Sequence, residues 1–257
     1  MRPAPRAPPT ERMTPQFRIG TAGWATPRED HHARPTGMSH LENYAGIFNC
    51  VEINSSFYRH HRRETYERWA VTTGRSFRFS VKIPRSVSHD AALRGSVKEL
   101  DEFVVSVRGL GAKLAVLLLQ LPGRLDWQRR VVQRFFGRLQ DRIEVPVVCE
   151  PRHPSWCCAS AERLFERLGV SWVCADPVRV CHNRSVAGRI RYYRLHGSPR
   201  VYWSSYTESA LSALAMQIQE DRRSAQQVWC IFDNTAAGAA WNNAQTLNAK
   251  LRGSCSA

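Results

Sequence analysis

Residues 145–176 read VPVVCEPRHPSWCCASAERLFERLGVSWVCAD. A β-branched run, VPVVCE (145–150), gives way to a helical pattern at 160–168 and then to a second apolar run, WVCAD (172–176). Two strands joined through a helix run parallel, with a right-handed crossover. The same alternation extends in both directions. FRIG (17–20), CVEIN (50–54), FRFSVK (77–82) and LAVLLLQL (114–121) precede this unit, and IRYYRLHG (190–197) and VWCIFDN (228–234) follow it. Helical patterns fall at 39–48, 63–71, 96–109, 127–140, 207–222 and 236–251. Val97, Leu100, Val104 and Val107 form an apolar stripe in one of them, and Val131, Phe135 and Leu139 in another. Eight strands, seven followed by clear helices, predict an α/β chain folded as a (β/α)8 TIM barrel. The barrel is expected as a single domain over 17–252, between a Pro/Arg-rich tail (1–16) and a short tail (253–257). A doubly wound sheet is the alternative, but neither GxGxxG nor GxxxxGK occurs.

The chain has 257 residues, 43% of them hydrophobic, enough for one full core. It contains no apolar run long enough to span a membrane. The opening MRPAPRAPPTERMTPQ lacks the apolar stretch of a signal peptide, and Met13 offers a second start. Of the eight Cys, Cys149, Cys174 and Cys230 lie in apolar strands and Cys50 adjoins one. Cys157 and Cys158 are adjacent, and no CxxC pair exists. That pattern lacks the paired spacing of a zinc site and predicts reduced, mostly buried thiols in a cytoplasmic protein. The net charge of +15 suits an anionic partner such as nucleic acid, a phosphorylated metabolite or acidic lipid. The positive charge is nearly all Arg, which a GC-rich genome would also produce, so charge alone leaves both readings open. No obligate protein partner is evident.

In a barrel of this kind the active site forms at the C-terminal ends of the strands. Polar residues gather there. The first strand ends in Thr21, Gly23 and Trp24. The second carries Glu52 and Asn54 on one face, then Ser56 and Tyr58. The third places Ser80 and Lys82 opposite Phe77, Phe79 and Val81. Gln120 ends the fourth strand. Glu150, Arg152 and His153 end the fifth, and Asp176 the sixth. Arg194 and His196 share a face of the seventh, and Asp233 and Asn234 end the eighth. Each has a plain alternative as a cap, a turn residue, a snorkelling Lys or a local ion pair. A purely structural barrel has no reason to collect Glu, Lys, Arg and His in one concave mouth.

These segments resemble the YecE-like family of uncharacterised proteins, a domain-of-unknown-function family. The resemblance rests on GTAGW (20–24), YAGIFNCVEINSSFYR (44–59), FRFSVKIPRSVSHD (77–90), LLLQLP (117–122), EPRHPSW (150–156), AD (175–176), YYRLHGSPRVYWSSYT (192–207) and CIFDNTAAGAA (230–240), in order along the chain. It implies a TIM barrel and no particular activity. Two departures stand out. Pro151 sits where the family has an aromatic, and PREDHHARPTG (27–37) replaces an aromatic-rich stretch that would follow GTAGW.

Three functions fit the rim. The first is an enzyme, a hydrolase or lyase, acting on a phosphorylated or otherwise anionic substrate. Arg152, Arg194 and Lys82 would hold anionic oxygens, and the small residues of DNTAAGAA would cradle a phosphate. His153 or His196 would move protons with Glu150, and Trp24, Tyr58 and Trp203 would stack on a ring. Glu52, Asn54, Gln120, Asp176, Asp233 and Asn234 complete the expected substrate-binding set. The second is a metal-dependent phosphodiester hydrolase in which Glu52, Glu150, Asp176, His196 and Asp233 ligate Mg²⁺, Mn²⁺ or Zn²⁺. The third is a non-catalytic module binding nucleic acid or a small anion. Glu52 and Glu150 in the pocket count against it, because acids repel phosphate unless a cation intervenes.

Overall fold

The computed structural model describes residues 16–26, 37–95, 97–178, 180 and 189–253. The expected tails up to residue 15 and from 254 onward, and the departure at 27–36, lie outside the described residues. Eight strands form one sheet: β1 (Gln16–Thr21), β2 (Cys50–Ile53), β3 (Arg78–Lys82), β4 (Leu114–Gln120), β5 (Val147–Glu150), β6 (Ser171–Asp176), β7 (Ile190–Leu195) and β8 (Gln227–Phe232). Among the described residues seven α-helices alternate with them: α1 (His40–Ile47), α2 (Arg63–Thr72), α3 (Val97–Val107), α4 (Arg129–Gln140), α5 (Ala159–Leu168), α6 (Glu208–Asp221) and α7 (Ala239–Gly253). The strand order is β1-β8-β7-β6-β5-β4-β3-β2, with every hydrogen-bonded pair parallel. The expected TIM barrel is therefore present. The last helix starts at Ala239 rather than 236. Gly238 takes φ +78, a left-handed conformation that interrupts the helical path, so DNTAAG forms a turn before the helix.

The ring closes between β1 and β2 by unusual means. Backbone contact is made at the rim, where Ala22 bridges Glu52 and the Gly23 N–H donates to the Glu52 carbonyl at 2.9 Å. Deeper in the seam, side chains take the place of the ladder. The buried Tyr44 hydroxyl accepts from the Thr21 N–H (2.8 Å) and donates to the Cys50 carbonyl (3.0 Å). Asn49 pairs with β1 as a strand would: its Oδ1 accepts from the Ile19 N–H (3.2 Å) and its Nδ2 donates to the Phe17 carbonyl (2.8 Å). Gly20 is required here, because a Cβ would stand 2.3 Å from the Cys50 carbonyl oxygen and 2.8 Å from the Tyr44 hydroxyl.

Period-two alternation divides the strands. Outward residues such as Val51, Phe79, Leu117, Leu119 and Phe232 join the helices in the main core. Inward residues form a smaller core of Cys50, Val116, Leu118, Val148, Val173, Ile190, Tyr192, Trp229 and Ile231. Two residues further along the same faces come Glu52, Gln120, Glu150, Arg194 and Asp233, all buried. The barrel is thus apolar at its waist and ionic at its mouth.

Cys50, Cys149, Cys158, Cys174 and Cys230 are not disulfide-bonded, as expected. Cys157 departs from the expectation: it is disulfide-bonded, and its partner lies outside the described residues. Among the described residues, no helix is long and apolar enough to cross a membrane.

Tyr44→Phe leaves the Thr21 N–H and the Cys50 carbonyl buried without their partner. We expect a loss of about 1–3 kcal/mol in urea unfolding with unchanged m. An unchanged midpoint would show that the hydroxyl does not hold the seam.

Candidate active site

Arg194 occupies the centre of the mouth, fully buried. β7 aims it inward, two residues beyond Tyr192. Its five N–H donors meet five acceptor contacts. Nε donates to Glu52 Oε2 (3.0 Å) and Nη2 to Glu52 Oε1 (2.8 Å), a bidentate fork. Nη2 also donates to Asp233 Oδ2 (2.9 Å), and Nη1 to Glu150 Oε2 (2.7 Å) and Gln120 Oε1 (3.4 Å). The Tyr192 hydroxyl donates to Glu52 Oε2 (2.9 Å) and shares a hydrogen bond with Ser80 Oγ (2.8 Å). Arg152 Nε donates to the other oxygen of Glu150 (2.8 Å). His196 is buried between two acids. Its Nδ1 lies 3.0 Å from Asp233 Oδ2, and its Nε2 lies 3.4 Å from Glu150 Oε1 but off the line a hydrogen bond needs. The Asp233 bond places the proton on Nδ1 and leaves Nε2 uncommitted.

The electrostatics follow from this packing. Burial alone would push the Glu150 carboxyl up, but Arg194, with His196 and Arg152, holds it well below the usual range. Asp233 is likewise raised by burial and lowered further by Arg194, His196 and Lys82, with a net lowering. Three carboxylates face two guanidiniums and the Lys82 ammonium, so the inner group is close to neutral.

Lys82, at the end of β3, is built differently. Its Nζ lies 4.0 Å above the Phe57 ring, and it makes no hydrogen bond or ion pair among the described residues. Burial, then Arg194, brings its pKa from 10.5 down to about 8, against the pull of Glu52, Asp233 and Glu150. Beyond it the loops after β3, β4 and β5 carry further cations. His89 packs edge-on against Phe57 at 4.9 Å, and Arg124 Nη2 donates to the His89 carbonyl at 2.7 Å. Burial, with the cations Lys82, Arg85, Arg124 and Arg152, lowers the His89 pKa to about 4, so its ring is neutral at pH 7. On the other side of the mouth, Thr21, Ala22, Gly23, Ala25 and Thr26 at the end of β1, with the turn before α7 and the first residues of that helix (Thr235 to Asn242), line a cavity of about 470 Å³.

The sequence model of the family described as "Protein of unknown function DUF72" matches residues 18–256. The chain belongs to this family. It is 31% identical over 179 residues to the UPF0759 protein YecE of Escherichia coli (strain K12), covering 66% of this chain and 64% of that protein. It is 23% identical over 264 residues to the UPF0759 protein YunF of Bacillus subtilis (strain 168), covering 89% and 92%. A DUF72 family protein from Thermotoga maritima MSB8 superposes with a TM-score of 0.76 at 22% identity, over 92% of this chain and 99% of that one. A sugar phosphate isomerase/epimerase from Parabacteroides distasonis shares the fold at a TM-score of 0.56 and 9% identity, over 93% and 97%.

In this DUF72 protein the mouth brings together Glu52, Lys82, Gln120, Glu150, Arg152, Arg194, His196 and Asp233 of the expected set. The others sit elsewhere. His153 caps the short helical turn at Pro154–Trp156, its Nδ1 accepting from the Ser155 N–H (3.2 Å). Trp24 packs edge-on against Trp69 of α2 at 5.0 Å. Tyr58 is 73% exposed and stacks edge-on against Phe57. Asp176 Oδ2 accepts from the Tyr206 hydroxyl (2.6 Å), and that hydroxyl also accepts from the Gly197 N–H (3.0 Å). Asn234 donates to the Ser204 carbonyl and to Asn243 Oδ1, both at 2.9 Å. These two tie the loops after β6, β7 and β8 together. Asn54 Oδ1 is buried without a hydrogen-bond partner among the described residues. Three contributors were not singled out in the sequence. Tyr192 was signalled by its alternation with Arg194 and His196, and His89 lay within the quoted FRFSVKIPRSVSHD. Asn243, inside α7, carried no signal.

The metal reading meets an obstacle in the donors. Glu52, Glu150 and Asp233 converge on the Arg194 guanidinium, which fills the place an ion would take. Among the described residues no group of three His, Cys, Asp or Glu is arranged to hold one.

Arg194→Met strands three acids in the barrel. We expect a loss of about 3–5 kcal/mol at pH 8. Unpaired buried acids take up protons more readily than in the unfolded chain, so their stability contribution returns as pH falls. Wild-type Glu150 and Asp233 do the opposite and lose stability as pH falls below about 4. The gap between the two proteins should therefore narrow from pH 8 to pH 4.5, and a gap that widens would contradict the hub.

Lys82→Met removes an amine that the fold disfavours as a cation. The folded pKa lies below the unfolded one, so the cost is full below pH 8 and fades towards 10.5. Urea unfolding should find the variant more stable by about 1–2 kcal/mol at pH 7 and level with wild type near pH 10.5. Destabilisation at pH 7 would count against a burial-strained lysine.

Proposed function

We propose that this chain is an enzyme that binds a phosphorylated or similarly anionic substrate in the barrel mouth. The observation that carries this reading is the cationic sector outside the neutral inner group. Beyond Lys82 and Arg152, which the inner acids already balance, Arg85 and Arg124 also lie against His89, and the only anion bonded to these two among the described residues is Asp90, on Arg85. A concave site that gathers cations beyond the available acids is suited to an anion. The neighbouring Glu150, Asp233 and His196 supply proton-transfer groups, with His196 Nε2 the uncommitted nitrogen. The metal-dependent hydrolase is the weaker reading, because Arg194 already engages the acids it would need.

The test is calorimetric titration with inorganic phosphate, pyrophosphate and a panel of sugar phosphates at 25 and 150 mM salt. One-site binding, weakened about tenfold or more by Arg124→Gln, is expected, in line with the roughly 1.5–3 kcal/mol of a charge-assisted hydrogen bond. Binding of none of these compounds, or binding indifferent to Arg124→Gln, would remove the reading. Salt-steep binding of single-stranded nucleic acid, lost in Tyr58→Ala and Trp203→Ala but not in Arg124→Gln, would put the nucleic-acid module in its place.

A further inference from the structure

The chain uses lysine sparingly. Only four of its 37 Lys and Arg residues are Lys: Lys82, Lys98, Lys113 and Lys250. Three are engaged. Lys98 reaches Glu102 at 3.9 Å on the exposed face of α3. Lys113 donates to the Ala70 and Thr73 carbonyls and to Thr73 Oγ1. Lys250 pairs with Glu208. The Lys82 side chain alone has no hydrogen bond or ion pair among the described residues, and it alone lies at the mouth of the barrel. Where this chain needs a cation it uses Arg, whose guanidinium stays protonated and cannot act as a nucleophile; an amine can.

We propose that Lys82 is a nucleophile and that the substrate carries an aldehyde or ketone beside its anionic group. Lys82 Nζ then forms an imine with that carbonyl, and the proposal rests on the anion-binding reading above for where the substrate sits. Three features of the surroundings favour it. The acids that would clamp an ammonium are committed to Arg194 and Arg152. The Phe57 ring covers one side of the amine, 4.0 Å from Nζ. Arg124 and Arg152 lie beyond, able to hold the anion while the carbonyl faces Nζ. Burial beside Arg194 also leaves a useful share of the amine unprotonated at neutral pH.

The step balances without any further reagent. The nitrogen lone pair forms an N–C bond as the carbonyl π pair moves to oxygen. That oxygen takes a proton, and the nitrogen loses one, to give a carbinolamine. The C–O bond then breaks, and the oxygen leaves as water with a second proton. The sum is amine, carbonyl and one proton from solvent giving a protonated imine and water. The imine draws electrons from an adjacent C–H or C–C bond, which is the chemistry of an isomerase, aldolase or lyase acting next to a carbonyl.

Pyridoxal 5′-phosphate, an aldehyde with a phosphate, is the probe, and phosphate-free pyridoxal is its control. The full chain is incubated with each in the presence of cyanoborohydride, and labelled peptides are mapped by mass. We expect pyridoxal phosphate to label Lys82 at least ten times faster than Lys98, with a rate that levels off above pH 8, and Lys82→Arg to lose that label. Faster labelling of Lys98, or a Lys82 rate still climbing at pH 10, overturns the proposal. Calorimetry with inorganic phosphate separates the two claims. Phosphate binding without Lys82 labelling sinks the imine and keeps the anion site. Equally fast Lys82 labelling by pyridoxal and pyridoxal phosphate, unaffected by Arg124→Gln, keeps the nucleophile and sinks the anion site. A circular dichroism melt of Lys82→Arg confirms that loss of label is not loss of fold.

Discussion

Arg194 lets an ionic layer exist inside this barrel. Burying Glu52, Glu150 and Asp233 together would be prohibitive without compensation, because charge transferred from water to protein interior costs several kcal/mol per ion. One planar guanidinium with five donors meets an oxygen of each acid and of Gln120. A lysine could not replace it, since three donors on a point charge cannot fork onto Glu52 while reaching two further acids. Everything else at the mouth is arranged around that arginine: His196 held by Asp233, Arg152 drawn in by Glu150, and Tyr192 locked beneath Glu52.

That hub also separates the mouth into two kinds of charge. Groups within reach of Arg194 neutralise one another. Beyond it, on the loops after β3 and β4, Arg85 and Arg124 outnumber Asp90, and burial together with the surrounding cations keeps the His89 ring in their midst neutral. Lys82 stands at the boundary, close enough to the arginine to be discouraged from carrying a proton and too far from the acids to be bonded by them. Its reactivity would thus arise from where the carboxylates point rather than from a partner of its own.

Much of this was legible from alternation. The inward set Ile190, Tyr192, Arg194 and His196 follows from period two once β7 is recognised, and the same rule places Glu52, Lys82, Glu150 and Asp233 on the shared face. What alternation does not encode is choice of partner. Nothing local says that Glu150 divides its oxygens between Arg152 and Arg194, or that His153, one residue beyond Arg152, turns away to cap a turn. Long-range pairings such as Asn234 with Asn243, or the Tyr44 hydroxyl with Thr21 and Cys50, depend on curvature that a linear reading cannot supply. The Cys157 disulfide was missed for the same reason, since adjacency to Cys158 revealed nothing about what lies opposite.

The β1–β2 seam has a consequence for the order of assembly. β1 matches β8 over six consecutive residue pairs, Gln16 with Gln227 through Thr21 with Phe232, whereas towards β2 it meets a rim bridge and the side chains of Tyr44 and Asn49. The first strand of the barrel to leave the ribosome therefore has its principal backbone partner in the last strand of the barrel to be synthesised. β2 to β7 can pair in sequence as they emerge, but β1 must wait for β8, and the barrel closes as a single late event spanning nearly the whole chain. Until then the β8-facing edge of β1 stays unpaired, while Tyr44 and Asn49 cover the opposite edge, towards β2, so that β1 presents one open edge rather than two during translation.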